Sequence, residues 1–475
     1  MKQWMALFFS SLTFYAGAQS FKGTWEGRLQ AGTPLRIVFI FAEKDGKISA
    51  TFQSPDQTKA ILPTDTCYSL GDSIYVKAKR FGISFRGQLT NDSSINGIFT
   101  QGSDLPLPLK KVAAVSTLKR PQAPKPPFPY QEEEVAFENK SAGIKLAGTL
   151  TYPKPLPGVD YVKAPTYPAV ILITGSGPQD RDETVFGHKP FAVIADDLTK
   201  KGFAVLRYDE RGVGKSTGKF QESTTADFAN DTEAAIDFLK SQPQIDTAHI
   251  GLIGHSEGGM IAPMLAARRK DIAFIVMLAG PSTPAPELMR EQVEAVMLSQ
   301  GEDSSSAAIG GSFFKEMAKA INSSKDTGTI FSNALAIANE WAKQQPDSIL
   351  TMMNMENVVE RAVAVREQLK PMMTTWFRYF LSIDPAVYLS KLSCKVLALN
   401  GDKDIQVLAP SNLKGIKTAL QKSKSTQYDI ISLPGLNHLF QSCKTCTAAE
   451  YGELEETISP VVLQKMGDWL LLHGR

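Results

Sequence analysis

The stretch "HIGLIGHSEGGMIAPMLAA", His249 to Ala267, constrains the fold more than any other part of the chain. An apolar, strand-like run ends in Gly254-His255-Ser256-Glu257-Gly258, and an Ala-rich helical segment follows at once. A serine at the apex of a strand, a tight turn and a helix is the setting in which the G-x-S-x-G pattern carries chemistry. The glycines on either side let strand and helix approach more closely than a Cβ permits, while the turn holds Ser256 in strained backbone geometry. The helix N-terminus behind the serine favours negative charge developing there. Outside that context the pattern carries little information.

The surroundings supply the rest of a largely parallel sheet. "AVILITG", "FAVLRYD", "HIGLIGH", "FIVMLAG", "KVLALNG" and "YDIISLPG" read as strands, and helices are expected at about 189–201, 224–242, 257–269 and 455–473. Strand and helix alternate, which predicts an α/β sheet with helices on both faces. "EVAFENKSAGIKLAGTLTYP" reads as a leading hairpin. The alternation stops over 281–392, which is rich in Ala, Glu, Gln and Met, holds eight of the 14 methionines and reads as an inserted helical cap. Such a cap either shapes an adaptable apolar pocket or packs as ordinary helices.

Upstream the rhythm is different. Residues 19–115 alternate apolar and polar side chains between turns such as "KDGK" and "TNDSS", the pattern of a small antiparallel barrel or sandwich, with Trp25 in its core or lining a cavity. The proline-dense run "LKRPQAPKPPFPYQEEE" marks a stiff linker, placed at 116–130, before the α/β domain at 131–475.

A serine hydroxyl is a weak nucleophile and needs a base held by an acid. The chain has five histidines. His438 lies just beyond the last expected strand, in "ISLPGLNHLF", and suits the base. His249, which precedes a strand, and His473, near the C-terminus, do not; His255 reads as a packed residue of the turn. Asp404 lies just beyond the preceding strand in "LALNGDKDIQV", with Asp402 as the nearby alternative acid. The order Ser256, Asp404, His438 is that of the α/β hydrolase fold, and open parallel sheets place ligands beyond their carboxyl ends. The tetrahedral oxyanion needs two N–H donors. Glu257, directly after the serine, supplies the first. The second is expected in "SGPQDRDET", at Ser176 or Gly177.

"ITGSGPQDRDE", "YDERGVGKS", "GLIGHSEGG", "NGDKDIQV" and "LPGLNHLFQ" together resemble bacterial serine carboxylesterases of the α/β hydrolase superfamily, in the branch with prolyl oligopeptidase-like and dienelactone hydrolase-like proteins. The resemblance covers about 130–475. It implies a Ser256–Asp404–His438 triad, an oxyanion loop at Ser176–Gly177, small-molecule ester substrates with short acyl chains, and no organic cofactor or metal. The superfamily also holds peptidases, thioesterases and acyltransferases, and a non-catalytic scaffold with a glycan- or lipid-binding β-domain is the reading outside enzymology. Dienelactone hydrolases carry cysteine at the elbow, where this chain has serine.

Several other classes are excluded or set aside. "RYDERGVGKSTGKF" contains Gly214-Lys215-Ser216, but the first glycine of a phosphate-binding loop would fall at Asp209, so no nucleotide site follows. It resembles instead the turn that follows a parallel strand in these hydrolases, which implies that Asp209 and Arg211 brace the active-site loops. A formal net charge of +2 without a long basic run argues against nucleic acid. "MKQWMALFFSSLTFYAGAQS" has the charged start, short apolar core and Ala-Gly-Ala end of a secretory signal, residues 1–18, so a periplasmic or extracellular protein without stable membrane insertion is expected. In that compartment Cys443 and Cys446 of "CKTC" are read as a structural clip or as free thiols.

Overall fold

The computed structural model describes residues 20–31, 33–56, 60–115, 119–154 and 166–475. The expected signal at 1–18 and the start of the expected linker lie outside them. The chain divides into two compact units, Met1–Thr117 and Leu118–Arg475.

The first unit is one antiparallel sheet built from β1 (Gly23–Ala31), β2 (Thr33–Lys44), β3 (Lys47–Gln53), β4 (Leu62–Pro63), β5 (Thr66–Leu70), β6 (Ser73–Ala78), β7 (Ile83–Asn91), β8 (Ser94–Gln101), β9 (Ser103–Pro106) and β10 (Leu109–Val112). Its order is β4-β3-β2-β1-β10-β8-β7-β6-β5, with β9 paired to β8. The "KDGK" turn closes the β2–β3 hairpin with Asp45 at φ 50° and Gly46 at φ 69°, both in the left-handed region that a two-residue hairpin turn with matching twist requires. Period-two alternation sends Trp25, Phe39, Phe41, Phe85 and Phe99 to one buried face. The Phe39 and Phe85 rings lie 4.9 Å apart. Each such ring contributes about 1.5–3 kcal/mol by leaving water. Trp25 is a core residue, fully buried, with its Nε1–H donated to the Phe21 carbonyl at 2.6 Å.

The second unit carries an eight-stranded sheet in the order β11-β12-β14-β13-β15-β16-β17-β18. Its strands are β11 (Tyr130–Asn139), β12 (Ile144–Pro153), β13 (Tyr167–Ile173), β14 (Ala204–Tyr208), β15 (Ile245–His255), β16 (Phe274–Leu278), β17 (Lys395–Gly401) and β18 (Tyr428–Leu433). The leading hairpin β11–β12 is antiparallel to its neighbour β14, and β13 to β18 run parallel. The connections are α1 (Pro190–Lys200), α2 (Thr225–Lys240), α3 (Glu257–Arg268), a run of helices after β16, then α11 (Ala409–Leu420) and the closing α12 (Pro460–His473). Phe191, Ile194 and Leu198 of α1 pack with Val462, Met466 and Leu470 of α12 on one face. Ile236 and Leu239 of α2, Ile261 and Leu265 of α3 and Ile416 of α11 cover the other. This is the largely parallel sheet with helices on both faces expected from the strand and helix alternation.

The cap between β16 and β17 comprises α4 (Ala285–Ser299), α5 (Ser304–Ile321), α6 (Thr327–Ala342), α7 (Asp347–Met352), α8 (Val358–Met372), α9 (Thr375–Phe380) and α10 (Ala386–Leu389). Capping side chains at Asp303, Asp326, Asn357 and Thr374 start four of them by accepting otherwise unpaired amides. The cap has its own core, including Phe313, Met317, Trp341, Met355 and Leu369.

Three local readings are corrected. The last helix starts at Pro460, not 455, because 451–458 is a loop that receives other segments. Helix α11 is not among the expected helices. The expected linker is pinned at its centre: Arg120 donates to the carbonyls of Phe186, Gly452 and Leu454, and Gln122 to that of Ile458. It ends where Tyr130 opens β11.

Candidate active site

The parallel part of the sheet begins at β13; the chain adds β14 on one side, then crosses to β15 on the other. At such a reversal the loops leaving neighbouring strands part, and a crevice opens beyond their carboxyl ends. The loop after β13 and the turn after β15 flank it.

Ser256 sits in that turn at φ 52° and ψ −115°, a region that costs a non-glycine residue roughly 1–3 kcal/mol. Its N–H is donated to the Leu278 carbonyl at 2.8 Å, which holds the turn against β16. The flanking glycines are there for approach. A Cβ on Gly254 would lie 2.0 Å from the Gly258 carbonyl oxygen, and one on Gly258 would lie 2.1 Å from that of Ile173. Helix α3 begins at Glu257, whose N–H has no acceptor within the helix by the geometry of a helix start.

Asp404 and His438 are brought together at the ends of β17 and β18. His438 Nδ1 lies 2.8 Å from Asp404 Oδ2, with both residues buried. Asp404 accepts three further bonds, from Gln406 N–H at 2.8 Å, Val407 N–H at 2.9 Å and Asn400 Nδ2 at 3.2 Å. A carboxylate so fully satisfied is fixed in place. Asp402 is exposed and caps a different turn, accepting Gly435 N–H at 2.7 Å. With Asp404 accepting at Nδ1, the His438 tautomer carries its proton there and leaves Nε2 as a base.

The loop after β13 is tied down at almost every amide. Gly175 N–H goes to Glu183 Oε1 at 2.7 Å, Gln179 N–H to Glu210 Oε2 at 3.1 Å, and Arg181 N–H to Asp209 Oδ1 at 3.0 Å. Asp182 and Thr184 donate to Asp180 Oδ1, and Glu183 to the Asp180 carbonyl. Pro178 has no N–H. The amides of Ser176 and Gly177 have no acceptor among the described residues. Gly175 is the residue against the serine: a Cβ there would stand 3.2 Å from Ser256 Cβ.

Asp209 binds the Arg181 guanidinium at 3.0 and 2.9 Å and also accepts Lys215 N–H, so it ties the "DERGVGKS" turn to the loop after β13. Burial works against its charge, but these bonds win and its carboxyl is held below the usual range. Arg211 reaches the opposite way, forming a fork on Asp231 of α2 at 2.6 and 2.8 Å. Neither contacts Ser256 in the described structure.

Four buried acids that the sequence reading did not assign, or assigned only by backbone, surround the crevice. Glu257 Oε1 accepts from Thr225 Oγ1 at 2.6 Å and from Trp376 Nε1 of α9 at 2.9 Å, and its carboxyl also bonds the Ser176 hydroxyl. Burial pushes Glu257 upward, as it pushes Glu210, which accepts from Thr174 Oγ1 at 2.6 Å. Glu183 faces His255, and Asp182 pairs with Arg207. "SGPQDRDET" contains two of these acids, but nothing local says which side chain turns inward. Trp376 stacks on Phe380 at 5.2 Å and belongs with Met260, Met264, Leu288 and Ile383 to the apolar cluster joining cap to sheet beside the serine.

Cys443 and Cys446 are disulfide-bonded, five residues beyond the base, in a loop whose amides at Lys444, Thr445 and Cys446 all bind the Glu450 carboxylate. Among the described residues no group of three metal-ligating side chains occurs and no helix is long and apolar enough to cross a membrane. A cleft of about 800 Å³ between β11 and α2, lined by Asn139, Lys145, Asn230 and Asp237, contains none of the site residues above.

Residues 189–339 match a protein family described as serine aminopeptidase, S33. The esterase EstD of Thermotoga maritima is 33% identical over 168 residues, 35% of this chain and 38% of that protein. The human mitochondrial palmitoyl-protein thioesterase ABHD10 is 36% identical over 99 residues, 21% of this chain and 30% of that protein. The chain thus spans about a third of the length of these curated relatives. Among solved structures, the hypothetical protein PA2218 of Pseudomonas aeruginosa is 16% identical with a TM-score of 0.44, over 75% of this chain and 98% of that one. The sheet order and the strained serine at the end of β15 are those of the α/β hydrolase fold.

Proposed function

We propose that the protein is a serine hydrolase that cleaves carboxylic esters of short acyl chain through an acyl-enzyme. The observation that carries this reading is the Asp404–His438 hydrogen bond at the same sheet end as the strained Ser256. His438 Nε2 takes the Ser256 proton as Oγ attacks the ester carbonyl. Asp404 holds the imidazole in the working tautomer and stabilises its cation. The oxyanion is met by the Glu257 N–H at the positive end of α3 and by a second amide from Ser176 or Gly177. His438 then returns the proton to the leaving alkoxide, and water, activated by the same base, releases the acid. The similarity to an esterase supports the ester reading. Thioester cleavage is a second reading, carried by the similarity to a palmitoyl-protein thioesterase.

Hydrolysis of p-nitrophenyl esters from acetate to octanoate tests the proposal, with Ser256→Ala as the blank and a palmitoyl thioester and an aminoacyl anilide as further arms. Turnover should fall along the ester series and drop on the order of 10⁴-fold in Ser256→Ala. A silent ester series beside an active thioester or anilide would replace this reading with the corresponding one. Export through residues 1–18 is part of the proposal, and the Cys443–Cys446 disulfide supports an oxidising compartment. Mature protein beginning after Ala18 is the expected result of N-terminal sequencing.

A further inference from the structure

His255, between the elbow glycine and the serine, has no role in the mechanism above, yet it is 7% exposed and both its ring nitrogens are engaged. Nδ1 lies 3.0 Å from Glu183 Oε1, and Nε2 lies 3.0 Å from the backbone oxygen of His438. Both partners are acceptors: a carboxylate and a peptide carbonyl. A neutral imidazole has one N–H and satisfies one of them. Two contacts of this length therefore require one more proton on the pair, between Nδ1 and Oε1, with the other proton on Nε2. Glu183 Oε1 also accepts Gly175 N–H at 2.7 Å, which suits a carboxylate anion facing an imidazolium. Glu183 is itself held at φ 51°, a strained setting that the surrounding turn imposes.

The bonds form one path through three loops. Gly175 sits where a Cβ would stand 3.2 Å from Ser256 Cβ, Glu183 holds Gly175, His255 holds Glu183, and the same ring holds the peptide of the base. The His255 and His438 rings lie 4.8 Å apart. Resting on the serine hydrolase reading, we propose that Glu183 and His255 are positioning residues: a proton-carrying clamp that sets the His438 loop and the oxyanion loop at their working distances from Ser256. The titratable groups facing His255 are Glu183 from the loop after β13, Asp404 from the loop after β17 and the His438 ring from the loop after β18. Glu210 faces Glu183 from behind. Burial opposes a charged His255, but Glu183 outweighs it and the ring titrates above its ordinary value.

The clamp makes separable demands on its variants. His255→Ala and Glu183→Ala break the path, and kcat should fall on the order of 10- to 100-fold while KM changes less than about threefold. Glu183→Gln keeps the shape but not the proton balance: Oε1 meets both Gly175 N–H and Nδ1, so the amide oxygen placed there accepts both, and a neutral ring then has no proton on Nε2 for the His438 carbonyl. That variant should lose kcat on the order of 10-fold at pH 8 with KM little changed. Its kcat relative to wild type should recover toward acid pH, since protonating His255 restores the Nε2–H donor to the His438 carbonyl. Nitrogen-15 spectra of imidazole-labelled protein, assigned through His255→Ala, should place an N–H on both nitrogens of His255 at pH 8. Alanine variants with wild-type kcat but lowered melting temperature would overturn the clamp, as would a singly protonated His255 in the wild type. Absence of Ser256-dependent turnover in wild type would instead strike the hydrolase reading, and the spectra would still decide the proton.

Discussion

Acidification from pH 6.5 to 4 should withdraw about 3 kcal/mol from the second unit through one side chain, His188. The residue is 1% exposed, with Nε2 at 3.0 Å from the Tyr451 carbonyl and Nδ1 at 2.9 Å from Thr457 Oγ1. Burial, and then the nearby Arg120 cation, push its pKa down from 6.5 to about 4. The sign follows from proton counting. Between these two values the unfolded chain binds a proton that the folded chain refuses, so stability falls with pH at about 1.36 kcal/mol per unit. Over about 2.5 units the loss is about 3 kcal/mol; it is absent above pH 6.5 and complete below pH 4.

His188→Gln provides the comparison, because its amide can still donate to Tyr451 and does not titrate. Hydrogen exchange of the amides in β13 to β17 would report the second unit alone in a chain of two units. Carboxylates titrate in both proteins and cancel in the difference. Wild type should be at its best relative to His188→Gln near pH 7 and lose about 3 kcal/mol against it by pH 4. A difference that stays flat over that range would mean that folded His188 accepts the proton, and the argument from burial would be wrong. The site should feel the loss, because Gln441, three residues beyond His438, also reaches His188 at 3.1 Å.

Trp376→Ala removes the ring that the cap lays beside the elbow and leaves Glu257 with Thr225 and Ser176 as partners; the ratio of octanoate to acetate kcat/KM should rise on the order of tenfold, and an unchanged ratio would place the acyl chain elsewhere. Gly258→Ala puts a methyl 2.1 Å from the Ile173 carbonyl oxygen, so strand or helix must move; stability should drop by about 1–3 kcal/mol or more in urea titration and esterase turnover should fall with it.

The parallel sheet was legible because its central strands are apolar on both faces, as strands covered by helices on each side must be. The candidate triad was legible because each member closes a strand and the three follow a fixed chain order. The misread segments are those where local propensity and tertiary use diverge. "ELEETIS" before Pro460 has helix-forming glutamates, yet Arg120 and Gln122 need its carbonyls and amides, and a helix would have consumed them. Helix α11 carries Pro410 at its start and Gly415 in its body, which weakens its pattern; Gly415 is there because a Cβ would stand 2.2 Å from the Ser282 hydroxyl. In the first unit the alternation announced antiparallel strands but not their pairing order, since period two is a property of each strand alone.

The acids around the site follow a logic that no local pattern encodes. An oxyanion hole needs amides that point at empty space, and an irregular loop left to itself turns such amides onto its own carbonyls or onto water. Holding Ser176 and Gly177 open therefore requires that the rest of the loop be committed elsewhere. Glu183 takes Gly175, Glu210 takes Gln179, Asp209 takes Arg181, and Glu257 takes the Ser176 hydroxyl. The acids come from three turns, and burial raises the carboxyls of Glu210 and Glu257 while its bonds hold Asp209 low. That cost is sensible only if the geometry it fixes is worth more during the reaction than in the resting fold. His255 is the cation in this frame, and it is joined to the peptide of the base. The loop that would bind the oxyanion and the loop that carries the base are thus held by one proton.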